Sequence, residues 1–203
     1  MPSSTQPTRL GSTPRTVSQM RTLRAALELF AEYGVGATSY QMIADATGVT
    51  KGAIYHQFNT KDELIIAVAE MELATLEDAL EAAEALDRRT EARELLLNLV
   101  IDHAVEHRRG ANTLQFDPVV VRLLSEHKPF QHFIERLYGM LVGDEPGPDT
   151  QVRLAALTCV IGGTVSHPLV GDLDDDTLRA QLLETARRLV GLPAAVSKRR
   201  TGR

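Results

Sequence analysis

Thr-Ser-Tyr-Gln-Met-Ile-Ala-Asp-Ala-Thr-Gly-Val-Thr-Lys-Gly-Ala-Ile-Tyr-His-Gln-Phe-Asn-Thr-Lys-Asp-Glu-Leu, residues Thr38 to Leu64, is the stretch whose reading decides the fold. Thr38 and Ser39 are good N-caps for a short helix that buries Ile43 and Ala44, and Gly48 sits where that helix must stop and turn. Thr50 then caps a second short helix, in which Ile54 and Phe58 recur four apart and pin one face to a core. The other face, Lys51, Gly52, Tyr55 and His56, is left for a partner. A glycine early in a helix costs up to about 1 kcal/mol against Ala but lets another backbone come close. A nucleic-acid phosphate would use that gap, with the Tyr55 hydroxyl and the Lys51 charge fixing register. Thr60, followed by Asp62 and Glu63, caps a third helix, whose first amides with Lys61 offer one more anion contact.

Thr50-Lys51-Gly52-Ala53-Ile54-Tyr55-His56-Gln57-Phe58-Asn59-Thr60-Lys61-Asp62-Glu63-Leu64 resembles the signature of the TetR family of bacterial transcriptional regulators. Upstream, Ala25, Leu27, Phe30, Gly34, Ala37 and Thr38, then Ile43, Ala44, Gly48 and Val49, fit the same family's first two helices. The resemblance implies an all-α fold, with an N-terminal three-helix helix-turn-helix DNA-binding domain and a larger C-terminal helical ligand-binding and dimerisation domain. It also implies two copies of the reading helix on a palindromic operator, in major grooves about 34–36 Å apart or somewhat more. The expected DNA contacts are Thr38, Thr50, Lys51, Gly52, Ala53, Tyr55, His56 and Lys61. Of these, Lys51, Tyr55 and Lys61 would hold phosphates, and His56 with Ala53 would meet base edges. The function so implied is a homodimeric repressor released by a small-molecule effector. The alternatives are an activator, a ligand-independent regulator, or a metal-dependent enzyme using His103 and His107.

Composition agrees with that outline. The 203 residues are 43% hydrophobic and 24% charged, enough for a small domain beside a larger one. One cysteine, Cys159, excludes an intrachain disulfide and is poor material for a metal site, and no cofactor is expected. No run of about eighteen apolar residues spans a membrane, and Met1 to Arg15 lacks the apolar core of a signal peptide, so a cytoplasmic location is expected. The net charge of −5 is unevenly spread. Residues 1–61 hold six basic against three acidic residues, +3, and the rest sixteen against twenty-four, −8.

In chain order, residues 1–16 have the Ser-, Thr-, Pro- and Gly-rich composition of a disordered arm, idle or trailing in a minor groove. Residues 17–64 form the head, 65–193 the effector and dimerisation domain, and 194–203 a disordered tail. The first helix is expected from Val17 to Tyr33, ended by Gly34, with Leu23, Ala26, Leu27, Phe30 and Ala31 as its stripe. A long helix follows over 62–86, with Leu64, Val68, Met71, Leu76, Ala79 and Ala83 inward and its acids, Glu70 and Glu77 among them, mostly outward. The helix over 90–108 carries His103 and His107 on one seam, as metal ligands, polar pocket lining or satisfied core residues. Asp117-Pro118 and Lys128-Pro129 each start a helix. The resemblance implies an effector cavity among these middle helices, and His103, His107, Gln115, Phe116, Phe133 and Tyr138 are its candidate lining. Near the C-terminus, Ala155, Cys159, Gly162 and Ser166 form a row of small residues, and Leu178, Leu182, Ala186 and Leu189 an apolar stripe. Both read either as intrachain packing or, as the resemblance implies, as the face of a C2 dimer.

Overall fold

Four hydroxyl caps set where the first four helices begin. The structure, a computed structural model, describes residues 9–108, 116–143, 145 and 147–193. Thr16 caps α1 (Val17–Ala37) in a reciprocal box: its hydroxyl accepts from the Gln19 amide, and the Gln19 side chain accepts from the Thr16 amide. Ser39, Thr50 and Thr60 each accept from the amide three residues on, and so open α2 (Tyr40–Thr47), α3 (Lys51–Gln57) and α4 (Lys61–Glu84). Between α2 and α3 the backbone turns at Gly48, whose φ of 69° is the left-handed region that glycine enters without strain. The described residues then form α5 (Arg89–Glu106), α6 (Pro118–Glu126), α7 (Lys128–Leu141), α8 (Pro148–Val165), a 3-10 turn at Pro168–Val170, and α9 (Asp175–Leu189). Pro118 and Pro129 sit in the first turns of α6 and α7, and the Asp117 carboxylate accepts from the Val119 amide at 2.9 Å.

The helix expected to end at Gly34 instead kinks there, at φ 79°, and adds one turn that buries Val35. Thr38 closes that turn rather than capping α2. Its hydroxyl lies 2.9 Å from the Gly34 carbonyl and 3.2 Å from that of Leu29.

Two apolar cores are threaded by one helix. The first joins Leu23, Ala26 and Phe30 of α1 to Ile43 and Ala44 of α2, Ile54 and Phe58 at α3, and Leu64 to Ala69 of α4. The second takes over further along α4, at Leu76, Leu80 and Ala83, with α5, α7, α8 and α9 around it. The division is therefore not at residue 64, because α4 runs through it and α6 contributes Val120, Leu123 and Leu124 to the first core. Phe130, at the start of α7, packs against both.

Three expectations are corrected by this packing. Residues 9–16 are not a loose arm. Leu10 is 2% exposed in the second core, Arg9 pairs with Asp78 and with Glu81 at 2.8 Å, and Arg15 reaches Glu70 at 2.6 Å, so the segment straps α4. Glu70 and Glu77 face inward, not outward. Glu77 is 1% exposed and is paired at 2.5 Å with Arg136 of α7, which also grips Glu84; the Glu84 contact leads in holding the Arg136 guanidinium protonated well above the ordinary arginine range. Lastly, Leu178, Leu182, Ala186 and Gly162 are buried inside this chain. These four residues are spent on intrachain packing. Residues 1–8 of the expected arm and residues 194–203 of the expected tail lie outside the described residues.

Candidate nucleic-acid interface

The reading helix is held from beneath by a polar tether. Gln57, its last residue, accepts from the Thr22 hydroxyl at 2.9 Å and donates to Ser18 at 3.2 Å, locking α3 onto α1. Ile54 and Phe58 are fully buried behind it. The front carries Lys51, Gly52, Tyr55 and His56, all exposed, with Ala53 half-exposed. Tyr55 stands edge-on to Tyr40, ring centroids 4.5 Å apart, and the Lys51 ammonium lies 5.8 Å from the Tyr55 ring centre. Tyr40 in turn donates to the Phe58 carbonyl at 3.0 Å, and burial, with Tyr55 and the acids of α4 nearby, pushes its phenol up to about 12. Tyr40 therefore stays a neutral prop that aims Tyr55 outward. Its place at the first position of α2 gave no such signal in the sequence.

Gly52 has room to spare within the chain, because a Cβ placed there meets only the Thr50 hydroxyl, at 3.9 Å. Nothing intramolecular asks for glycine at this position. Thr50 is exposed and its hydroxyl is engaged in the cap, accepting from the Ala53 amide at 3.2 Å. Lys61 lies at the edge of the same surface, where its ammonium donates to the Gly36 carbonyl at 3.2 Å and so is pre-placed rather than loose. Thr38 is the exception. It is 1% exposed, with its hydroxyl on α1 carbonyls, and no phosphate can reach it.

This surface has counterparts. The family model described as bacterial regulatory proteins, tetR family, matches residues 23–68, the whole of α2 and α3 with most of α1 and the first turns of α4. Over those residues the chain is similar to the TetR family. It is 38% identical over 90 residues to the HTH-type transcriptional regulator AcrR of Shigella flexneri, covering 43% of this chain and 42% of that one. It is also 35% identical over 61 residues to the HTH-type transcriptional repressor AcnR of Corynebacterium glutamicum, covering 30% and 32%. The chain thus spans less than half the length of the curated relatives it matches. The fold match runs further. A TetR-like regulator from Rhodococcus sp. RHA1 superposes over 88% of this chain and 99% of its own, with a TM-score of 0.64 at 23% identity. FadR from Bacillus subtilis, solved in complex with stearoyl-CoA, covers 82% and 96% with a TM-score of 0.59 at 20% identity.

Behind the TetR-type head, α4, α5, α6, α7 and α8 enclose a pocket of about 330 Å³. Phe133 and Tyr138, expected as lining, are there. Phe116 is not among the lining residues and is 43% exposed, and Gln115 lies outside the described residues. His103 and His107 are also away from this pocket. Their rings stack at 4.4 Å, and the His107 Nδ1 sits 3.0 Å from the His103 carbonyl. Burial, with His107 alongside, pushes His103 down to about 4, so this half-buried ring is neutral at ordinary pH. Among the described residues no group of three or more His, Cys, Asp or Glu comes together to hold a metal. No helix among them is long and apolar enough to cross a membrane.

Of the row of small residues on α8, Ala155 and Cys159 face outward beside Val152, which is 67% exposed. Ser166 is half-buried, its hydroxyl turned to the Gly162 carbonyl at 3.3 Å. Leu189 is half-buried on α9.

Proposed function

We propose that this chain is a homodimeric, cytoplasmic DNA-binding regulator, a repressor that leaves a palindromic operator when a small molecule fills the pocket behind its head. The observation that carries the reading is the double membership of α6. Val120, Leu123 and Leu124 pack in the head core, while Val121, Leu124 and Ser125 line the pocket. A ligand that displaces α6 therefore moves against the core on which α1 and α4 rest. Glu70 gathers the same joint: it pairs with Arg15 ahead of α1 and lies 3.6 Å from His127 in the α6–α7 turn. A ligand shifts the equilibrium only by its differential affinity for the two head spacings, so the pocket must differ between them.

Lys51, Tyr55 and Lys61 serve as phosphate contacts, the Gly52 gap admits the backbone, and His56 with Ala53 faces base edges. The outward side of α8, Val152, Ala155 and Cys159, is the surface we assign to the two-fold partner, since small residues there let two helices approach closely. Relatives that match this chain include named repressors, which supports the sign of regulation. The test is an anisotropy titration of selected operator duplex with and without a saturating pocket ligand. Weakened binding is the expected result, and unchanged affinity would overturn release by ligand.

A further inference from the structure

Among the described residues, three hydroxyl groups line the α4–α8 pocket, Ser125, Tyr138 and Thr158, and no charged side chain does. The protons of all three are already committed. Thr158 donates to the Leu154 carbonyl at 2.9 Å, and Ser125 donates to the Arg122 carbonyl at 2.7 Å. Thr158 has one proton, so for its 2.7 Å bond with Tyr138 to coexist with the Leu154 bond, the Tyr138 phenol must be the donor. What the described lining then presents to an occupant is the lone pairs of the Tyr138 and Ser125 oxygens, in a wall otherwise built of side chains such as Leu73, Val100, Phe130 and Phe133. It offers acceptors and spends its donors elsewhere.

We infer that the pocket selects a neutral, mainly hydrocarbon molecule carrying a hydroxyl, which donates to the Tyr138 oxygen. The inference rests on the ligand-responsive reading above and gives it a chemical class. A carboxylate or phosphate is rejected because its charge would be buried without a partner. A ketone of the same shape is disfavoured because its carbonyl meets acceptor oxygens and finds no donor among the described lining residues, and an unmet buried polar group costs more than a made bond contributes. At about 330 Å³ the space lies near the small end of ligand pockets, which suits a compact skeleton of one or two rings.

The test uses the full-length protein and a matched set of probes, menthol, menthone and p-menthane, with decanoate as the charged comparison, titrated by calorimetry. Menthol is expected to bind about three- to tenfold tighter than menthone, the range of one net hydrogen bond, and decanoate weakest. Tyr138→Phe should erase the preference while p-menthane affinity stays unchanged, which separates a lost hydrogen bond from a damaged fold. Thr158→Val removes the acceptor of the Tyr138 proton, turns that proton toward the ligand, and should shift the preference to menthone. Menthone binding as well as menthol to wild type, decanoate binding tightest, no probe binding at all, or an unaltered preference in both variants would each overturn the inference. The operator readout is scored separately. Preferential menthol binding that leaves operator affinity intact supports this inference and counts against ligand release.

Discussion

Gly52 is the residue at which stability and function should part. It occupies an exposed early position of α3 with open space around it, so Gly52→Ala should raise thermal stability by up to about 1 kcal/mol through helix propensity. The same change should weaken operator binding, because the methyl group would fill the gap proposed for the duplex backbone. Thermal melts and anisotropy on one preparation check both, and a variant that binds as wild type does would remove Gly52 from the interface. Lys51→Ala should weaken binding to every sequence alike and lower the slope of log affinity against log salt by about 1, which a titration series at several salt concentrations measures. The outward face of α3 was legible in the sequence because Ile54 and Phe58 fix which side is buried, and the rest follows from helical spacing. Thr38 was misassigned because two adjacent hydroxyl residues can both cap, and only the kink at Gly34 decides that Ser39 caps α2 while Thr38 turns back to α1.

At the level of the helices, α4 is the shared beam, and its inward acids make it sensitive to substitution. Arg136→Ala would leave the Glu77 carboxylate buried and unpaired, and a loss of about 3–5 kcal/mol in urea unfolding is expected. His103 on α5 gives a pH dependence. Its folded value of about 4 lies below the unfolded 6.5, so between those limits the unfolded chain binds more protons and stability rises with pH. The contribution is fully retained above about 6.5 and is lost as pH falls toward 4, by up to about 3 kcal/mol. Denaturation at pH 7.5 and 5.0 should show this fall in wild type and a smaller one in His103→Leu. Helix existence was legible along this part of the chain, because prolines, glycines and caps punctuate it. Helix rotation was not. Glu77 reads as a solvated acid until Arg136, 59 residues later, is folded against it, and Leu178, Leu182 and Ala186 form an apolar stripe that fits its own chain as well as a partner.

For the whole molecule, reading a palindrome as proposed needs two heads at a fixed spacing. Ala155→Arg on the outward side of α8 should convert the dimer to monomer in sedimentation and lower operator affinity together, with the folded monomer retained because the position is exposed. The two-core plan was readable from the resemblance of the head and the helix order, but the strap of residues 9–16 was not, because its composition is that of a loose segment and only Leu10, Arg9 and Arg15 anchor it. The measurement that bears most directly on the central claim is selection of bound sequences from a random duplex library at fixed salt. Wild type should be run beside the Lys51→Ala, Tyr55→Ala double variant. A palindromic motif is expected from wild type, with too little duplex retained by the variant at the same salt for any motif to be enriched. Enrichment of no motif by wild type, or of the same motif by both proteins, would contradict a reading head built on α3.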